Sequence, residues 1–157
     1  MKFLSKLETR SVGRRLWTLT SPLKYLDDNG CLWVIPAGFA FDKRSAPRGL
    51  WWLFPPSEGH RDKAWAVHDF ERRCYRLLGL TMTQVDNGRF RAAMAAVGIR
   101  RWSRLVQSLS VNFSRTPAGD GIHREERYNL PIGDQTLAGW VASHYKPDGL
   151  GYRHEHN

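Results

Sequence analysis

Apolar positions between Arg14 and Ile35 come in short runs separated by turn residues: Leu16-Trp17-Thr18-Leu19-Thr20, Leu23-Lys24-Tyr25-Leu26 and Cys31-Leu32-Trp33-Val34-Ile35. Runs this short, rich in aromatic and branched side chains, predict strands. Asp27-Asp28-Asn29-Gly30 separates the second run from the third, and Asn-Gly supplies the positive-φ positions of a tight turn, so a β-hairpin is predicted from about Leu23 to Ile35. Pro36-Ala37-Gly38-Phe39 ends it. Pro47, Pro55 and Pro56 then exclude a long helix before His60. Trp51, Trp52 and Phe54 make this stretch an aromatic loop, which either packs on the core or serves as a docking surface.

From near His60 the period changes. Ala64, Val67, His68, Glu71, Cys74, Tyr75 and Leu78 fall on one side of a helix that Gly79 stops. Thr83 followed by Asp86 reads as a cap with its first-turn acid, and Phe90, Ala93, Met94 and Val97 carry a second helix from about Gln84 to Val97. A third helix is predicted from about Arg100 to Val111, with Trp102, Leu105, Val106 and Leu109 on its apolar stripe and Arg101, Arg104 and Ser108 opposite. Beyond Ser114 the chain turns to Gly, Pro, His and charge, with one apolar patch at Leu137 to Tyr145 suited to a lone short helix. The expected fold is α+β: one domain over residues 1–113, a small N-terminal antiparallel sheet packed on two or three helices, then an extended C-terminal arm over 114–157.

Composition narrows the class. A length of 157 residues argues for one domain, and 41% hydrophobic residues supply a real core. Mean hydropathy is -0.51 and no run approaches the roughly 18 to 20 apolar residues of a membrane span. Met1 to Lys6 develops no apolar signal core, so export by a cleaved signal is not expected. Cys31 and Cys74 lack Cys-x-x-Cys spacing, which excludes a cysteine-built zinc site and fits reduced thiols of a cytosolic protein. Lys plus Arg is 24 against 15 Asp plus Glu, a formal +9 that favours an anionic partner, nucleic acid or an acidic protein. Arg89, Arg91, Arg100, Arg101, Arg104 and Arg115 occupy a stretch from Asn87 without any acid. It is either a solvated basic face or one that tracks phosphates, with Trp102 adding stacking where exposed.

Candidate chemistry gathers at Asp42 in the proline loop, His60 before the first helix, His68-Asp69 within it, and Asp86 at the start of the second. Imidazole and carboxylate hold catalytic divalent metals in cysteine-free sites, and such a site lowers the pKa of a bound water for attack on a phosphoester or amide. On this reading Asp42, His68, Asp69 and Asp86 hold one divalent ion. His60, His68 and Asp69 act on the substrate or its water, with Ser45 and Glu71 as supporting residues. The alternative is a buried polar network in which His68 donates to Asp42 or Asp86 and ties the loop to the helices. Phosphate-loop, Gly-x-Ser-x-Gly and His-Glu-x-x-His motifs are absent, which disfavours nucleoside-triphosphate hydrolysis and serine-esterase chemistry.

Several segments taken in order carry a resemblance: Val34-Ile35-Pro36-Ala37-Gly38-Phe39-Ala40-Phe41-Asp42, Ser45-Ala46-Pro47, Trp51-Trp52-Leu53-Phe54-Pro55-Pro56, Ala66-Val67-His68-Asp69-Phe70 and Val85-Asp86 with Phe90 and Met94 before Gly98. From about Leu16 to Phe113 the chain resembles the domain of unknown function 1353 family, small proteins of tailed bacteriophages and prophages. The resemblance implies a phage or prophage origin, hence the host bacterial cytoplasm or the virion, and no settled reaction. Its motif positions coincide with Asp42, Ser45, His68, Asp69 and Asp86. This chain departs from the family pattern at Lys43-Arg44 and Phe70-Glu71-Arg72-Arg73, which place cations beside that cluster. Three functions are expected in turn: a metal-dependent hydrolase, a virion or tail-associated structural protein docking through the tryptophan loop and arm, and a host-directed or nucleic-acid-binding protein using the arginine face.

Overall fold

The computed structural model describes residues 1–13, 16–42, 61–77, 84–113 and 131–144, with the side chains of 84–87, 107 and 109–113 outside that description. Six strands precede four helices: β1 (Lys2–Phe3), β2 (Thr9–Gly13), β3 (Leu16–Leu19), β4 (Leu23–Leu26), β5 (Leu32–Ile35), β6 (Ala40–Phe41), α1 (Asp62–Leu77), α2 (Gln84–Ala96), α3 (Arg101–Phe113) and α4 (Leu137–His144). The fold is α+β. The strands form two antiparallel three-stranded sheets, ordered β1-β4-β5 and β2-β3-β6.

The expected hairpin is β4–β5, with Leu23 opposite Ile35 and Leu26 opposite Leu32. Alternation places Leu23, Tyr25, Trp33 and Ile35 inward, and Tyr25 stacks on Trp33 with ring centroids 5.9 Å apart. Gly30 takes φ 77°, but the turn is organised by Asp27. Its carboxylate accepts the Asn29 and Cys31 backbone N–H groups, each at 2.9 Å, and Trp33 Nε1–H at 3.2 Å.

Pro36-Ala37-Gly38-Phe39 hands the chain from one sheet to the other. Gly38 N–H donates to Leu19 O at 2.7 Å and Leu19 N–H to Phe39 O at 3.0 Å, so the turn is stitched to β3. Gly38 has φ 85°, and a Cβ there would stand 3.1 Å from the Pro131 carbonyl oxygen. Only glycine meets both conditions.

The predicted face of α1 is buried from Ala64 to Tyr75, with Leu78 outside the described residues, and Trp65, Ala66 and Phe70 are buried beside it. The helix is enclosed more widely than one stripe allows because it packs on β6, α2 and α4. Phe90, Ala93 and Met94 of α2, with Val97 just after it, face this core. Gly98 closes α2 at φ 75°, with Ile99 N–H bonded to Met94 O and Gly98 N–H to Ala95 O, a Schellman arrangement.

Two expectations change. Trp102 does not join the core: it is 68% exposed, and Leu105 beside it is exposed as well. Within the segment read as an arm, Ile132, Leu137, Trp140 and Val141 are core residues, and Trp140 meets Phe70 edge-on at 6.0 Å. Among the described residues no helix is long and apolar enough to cross a membrane.

Candidate functional site

The His-Asp doublet sits mid-way along α1, where adjacent residues point about 100° apart. Asp69 turns toward β6, and its Oδ2 accepts the Asp42 backbone N–H at 3.1 Å. Burial raises its carboxyl pKa, opposed by Arg73, the Asp42 N–H and Arg72. His68 turns the other way, toward α2. Its ring centroid lies 4.7 Å from Phe90 and 6.3 Å from Trp65, and only 3% of the residue is exposed. Burial, helped by Arg72, lowers its pKa to about 4, so the imidazole is neutral at pH 7.

The tie between the β6 end and the helix is made by Asp69, whereas the polar-network reading expects His68 to donate to Asp42 or Asp86, and a bond from His68 to Asp86 lies outside the described residues. Asp86 is the third residue of α2, with its side chain outside the described residues. Ser45, His60 and the loop residues Trp51, Trp52 and Phe54 also lie outside them. Among the described residues no group of three or more His, Cys, Asp or Glu side chains is placed to hold a metal. Cys74 is buried, and burial, with Glu71 nearby, pushes its thiol pKa up, leaving it unreactive.

The neutral His68 has a consequence for stability. Between its folded value of about 4 and the ordinary 6.5, the unfolded chain binds the extra proton, so stability rises with pH across that window. The contribution is complete above pH 6.5 and lost as the pH falls to 4, a change of about 3 kcal/mol. The raised Asp69 carboxyl acts with the opposite sign, because there the folded state holds the proton. Urea titrations at pH 4.5 and 7 check this: the native chain should lose more stability on acidification than His68→Phe does, and equal losses would refute it.

Glu71, one turn on from His68, is 1% exposed and belongs to a different set of contacts. Tyr25 Oη–H donates to its Oε1 at 3.3 Å, and Arg89 Nε lies 3.1 Å from the same oxygen. Arg89 Nη2–H donates to Tyr75 Oη at 2.6 Å, and its guanidinium lies over the Trp33 ring at 4.8 Å. This network joins β4, β5, α1 and α2. It corrects the place given to Arg89, which is turned inward and is not part of an anion-binding face.

Four other described arginines of this stretch, Arg91, Arg100, Arg101 and Arg104, are not drawn into that network. Arg91 from α2 and Arg101 and Arg104 from α3 line one open concavity of about 260 Å³. Arg91, Arg100 and Arg101 are exposed and Arg104 is half-buried. Trp102 stands exposed on the same helix. Charge and open space are thus presented together where α2 packs against α3, and Trp102 stands on another side of α3.

Comparison with known families finds one whose sequence profile, described as "Protein of unknown function (DUF1353)", matches residues 17–111, more than half of the chain. The match runs from β3 into α3, taking in both the His-Asp corner and the arginine concavity, and leaves out the core residues of 131–144. No curated protein and no solved structure matches the chain.

Proposed function

We propose, from the premise that this chain belongs to the DUF1353 family, that it works as a small nucleic-acid-binding protein of phage or prophage origin through its α2–α3 arginine face. One observation carries the reading: Arg91, Arg101 and Arg104 converge from two helices on one concavity, and α3 also carries the exposed Trp102 on another side. Cations that track phosphates and an aromatic ring that accepts a base are the two parts of sequence-tolerant binding to single strands. The +9 charge adds long-range attraction. The host cytoplasm and the virion both offer such a partner.

Anisotropy of a labelled single-stranded oligonucleotide tests this. Three phosphate contacts on a single strand imply a salt slope of about -2, so affinity should fall roughly 20-fold between 50 and 200 mM salt. Absent or salt-indifferent binding would end this reading.

A second reading, the metal-dependent hydrolase, has one observation in its favour. The Asp42 backbone N–H is bonded to the Asp69 carboxylate, and His68, although turned away toward α2, is kept as the neutral imidazole that metal ligation requires. It expects near-stoichiometric divalent metal in the purified chain, lost in folded His68→Ala and Asp69→Ala variants. Metal-free protein that unfolds identically with and without chelator leaves Asp69 as a brace and removes this reading.

A further inference from the structure

We infer that Arg91, Arg101 and Arg104 build a pocket for a single phosphate group, a deepening of the nucleic-acid reading that rests on it for the source of the phosphate but not for the pocket. Arg101 and Arg104 are three residues apart on α3 and so share a face, and Arg91 reaches the same concavity from α2. No acid lines it. Three like charges around one open space repel each other, and an anion placed among them turns that repulsion into attraction.

Arg104 supplies an independent observation. Its Nε is buried and has no hydrogen-bond partner among the described residues, although the residue as a whole is half-buried. Buried donors in native structures are almost always paired, so the Arg104 guanidinium is short of an acceptor in a side chain that borders the concavity. In a guanidinium, Nε–H and the neighbouring Nη–H form a parallel fork that matches two oxygens of one oxyanion. A single fork occupies both oxygens of a carboxylate. Three guanidinium groups call for the further acceptors that a tetrahedral phosphate presents, and the volume is several times the roughly 30 Å³ share of one liquid water, so the group enters partly hydrated.

The phosphate group comes either free, as orthophosphate or a monoester, or as a backbone phosphodiester of nucleic acid. Arginine-selective nitrogen-15 spectra of the full chain, titrated first with inorganic phosphate and then with a single-stranded oligothymidylate, separate the two. The Arg104 Nε–H resonance should move with both. Affinity for both should fall at least about tenfold in Arg104→Gln and also in Arg104→Lys, which keeps the charge but removes the fork. Arg10→Gln, an exposed arginine on β2, serves as the charge-matched control and should stay within about twofold. Trp102→Ala should weaken only the oligonucleotide. Phosphate binding at Arg104 without oligonucleotide binding keeps the pocket and removes the nucleic-acid source. Salt-dependent oligonucleotide binding that Arg104→Gln and Arg10→Gln weaken equally keeps the proposed function and overturns the pocket. An Arg104 resonance unmoved by either ligand overturns the pocket outright.

Discussion

A chain ending at Phe113 is expected to lose its cooperative unfolding transition, although the whole of the family match, residues 17–111, is retained. Ile132, Leu137, Trp140 and Val141 are buried in the same core as α1 and β4–β5. Fully burying side chains of this size is worth about 1.5–3 kcal/mol each, so the four together contribute about 6–12 kcal/mol. Total stabilities of single domains are about 5–15 kcal/mol. The docking is specific: Trp140 meets the edge of Phe70, and the Pro131 carbonyl lies where any side chain at position 38 would begin. Circular-dichroism melts of the full and shortened chains decide the matter. A shortened chain with an unchanged midpoint would show that 131–144 adds nothing to the core. Trp140→Ala in the full chain should cost about 3 kcal/mol, the usual range for emptying a large aromatic site.

Arg89→Ala is expected to be the most damaging substitution of an arginine, at about 3 kcal/mol. Glu71 is almost fully buried, and the guanidinium beside it is what offsets its desolvation; removing one partner of such a pair leaves the other charge poorly compensated. The Tyr75 hydroxyl and the Trp33 ring lose a contact at the same time. Arg89→Lys should recover only part of the loss, because an ammonium cannot reach Glu71 and Tyr75 as a planar fork does. Replacing the pair together, Glu71→Leu with Arg89→Met, should come closer to the native chain than Arg89→Ala alone. Urea midpoints check the order. If Arg89→Ala matched Arg91→Ala, which removes an exposed arginine, the network would carry no stability. Because Arg89 lies outside the concavity, its conservative variant should also leave phosphate affinity unchanged.

Periodicity was enough for the hairpin and the first three helices. Alternation in Leu23 to Ile35 and the 3.6-residue repeats of α1 and α2 report burial on one face, which a single sequence states directly. β1, β2 and β6 escaped it for a physical reason. β2 exposes most of Thr9–Gly13, and β1 and β6 are two residues each, so their pairing rests on backbone hydrogen bonds that leave no hydrophobic pattern. The residue types at the candidate corner, Asp42, His68 and Asp69, were legible, and so was the α4 patch.

What the sequence by itself determined was therefore the α+β class, the position of α1 to α3, the family and the inventory of polar groups available for chemistry. Tertiary structure alone decided which way each group points. It split His68 from Asp69, because neighbours on a helix diverge and one faced β6 while the other faced α2. It sorted a uniform run of arginines into Arg89, drawn inward to Glu71, and Arg91, Arg101 and Arg104, left around an open concavity. It placed Trp102 in solvent despite its apolar stripe and Trp140 in the core although its segment reads as part of an arm. Direction and burial depend on which element packs opposite, and that partner lies far away in the chain.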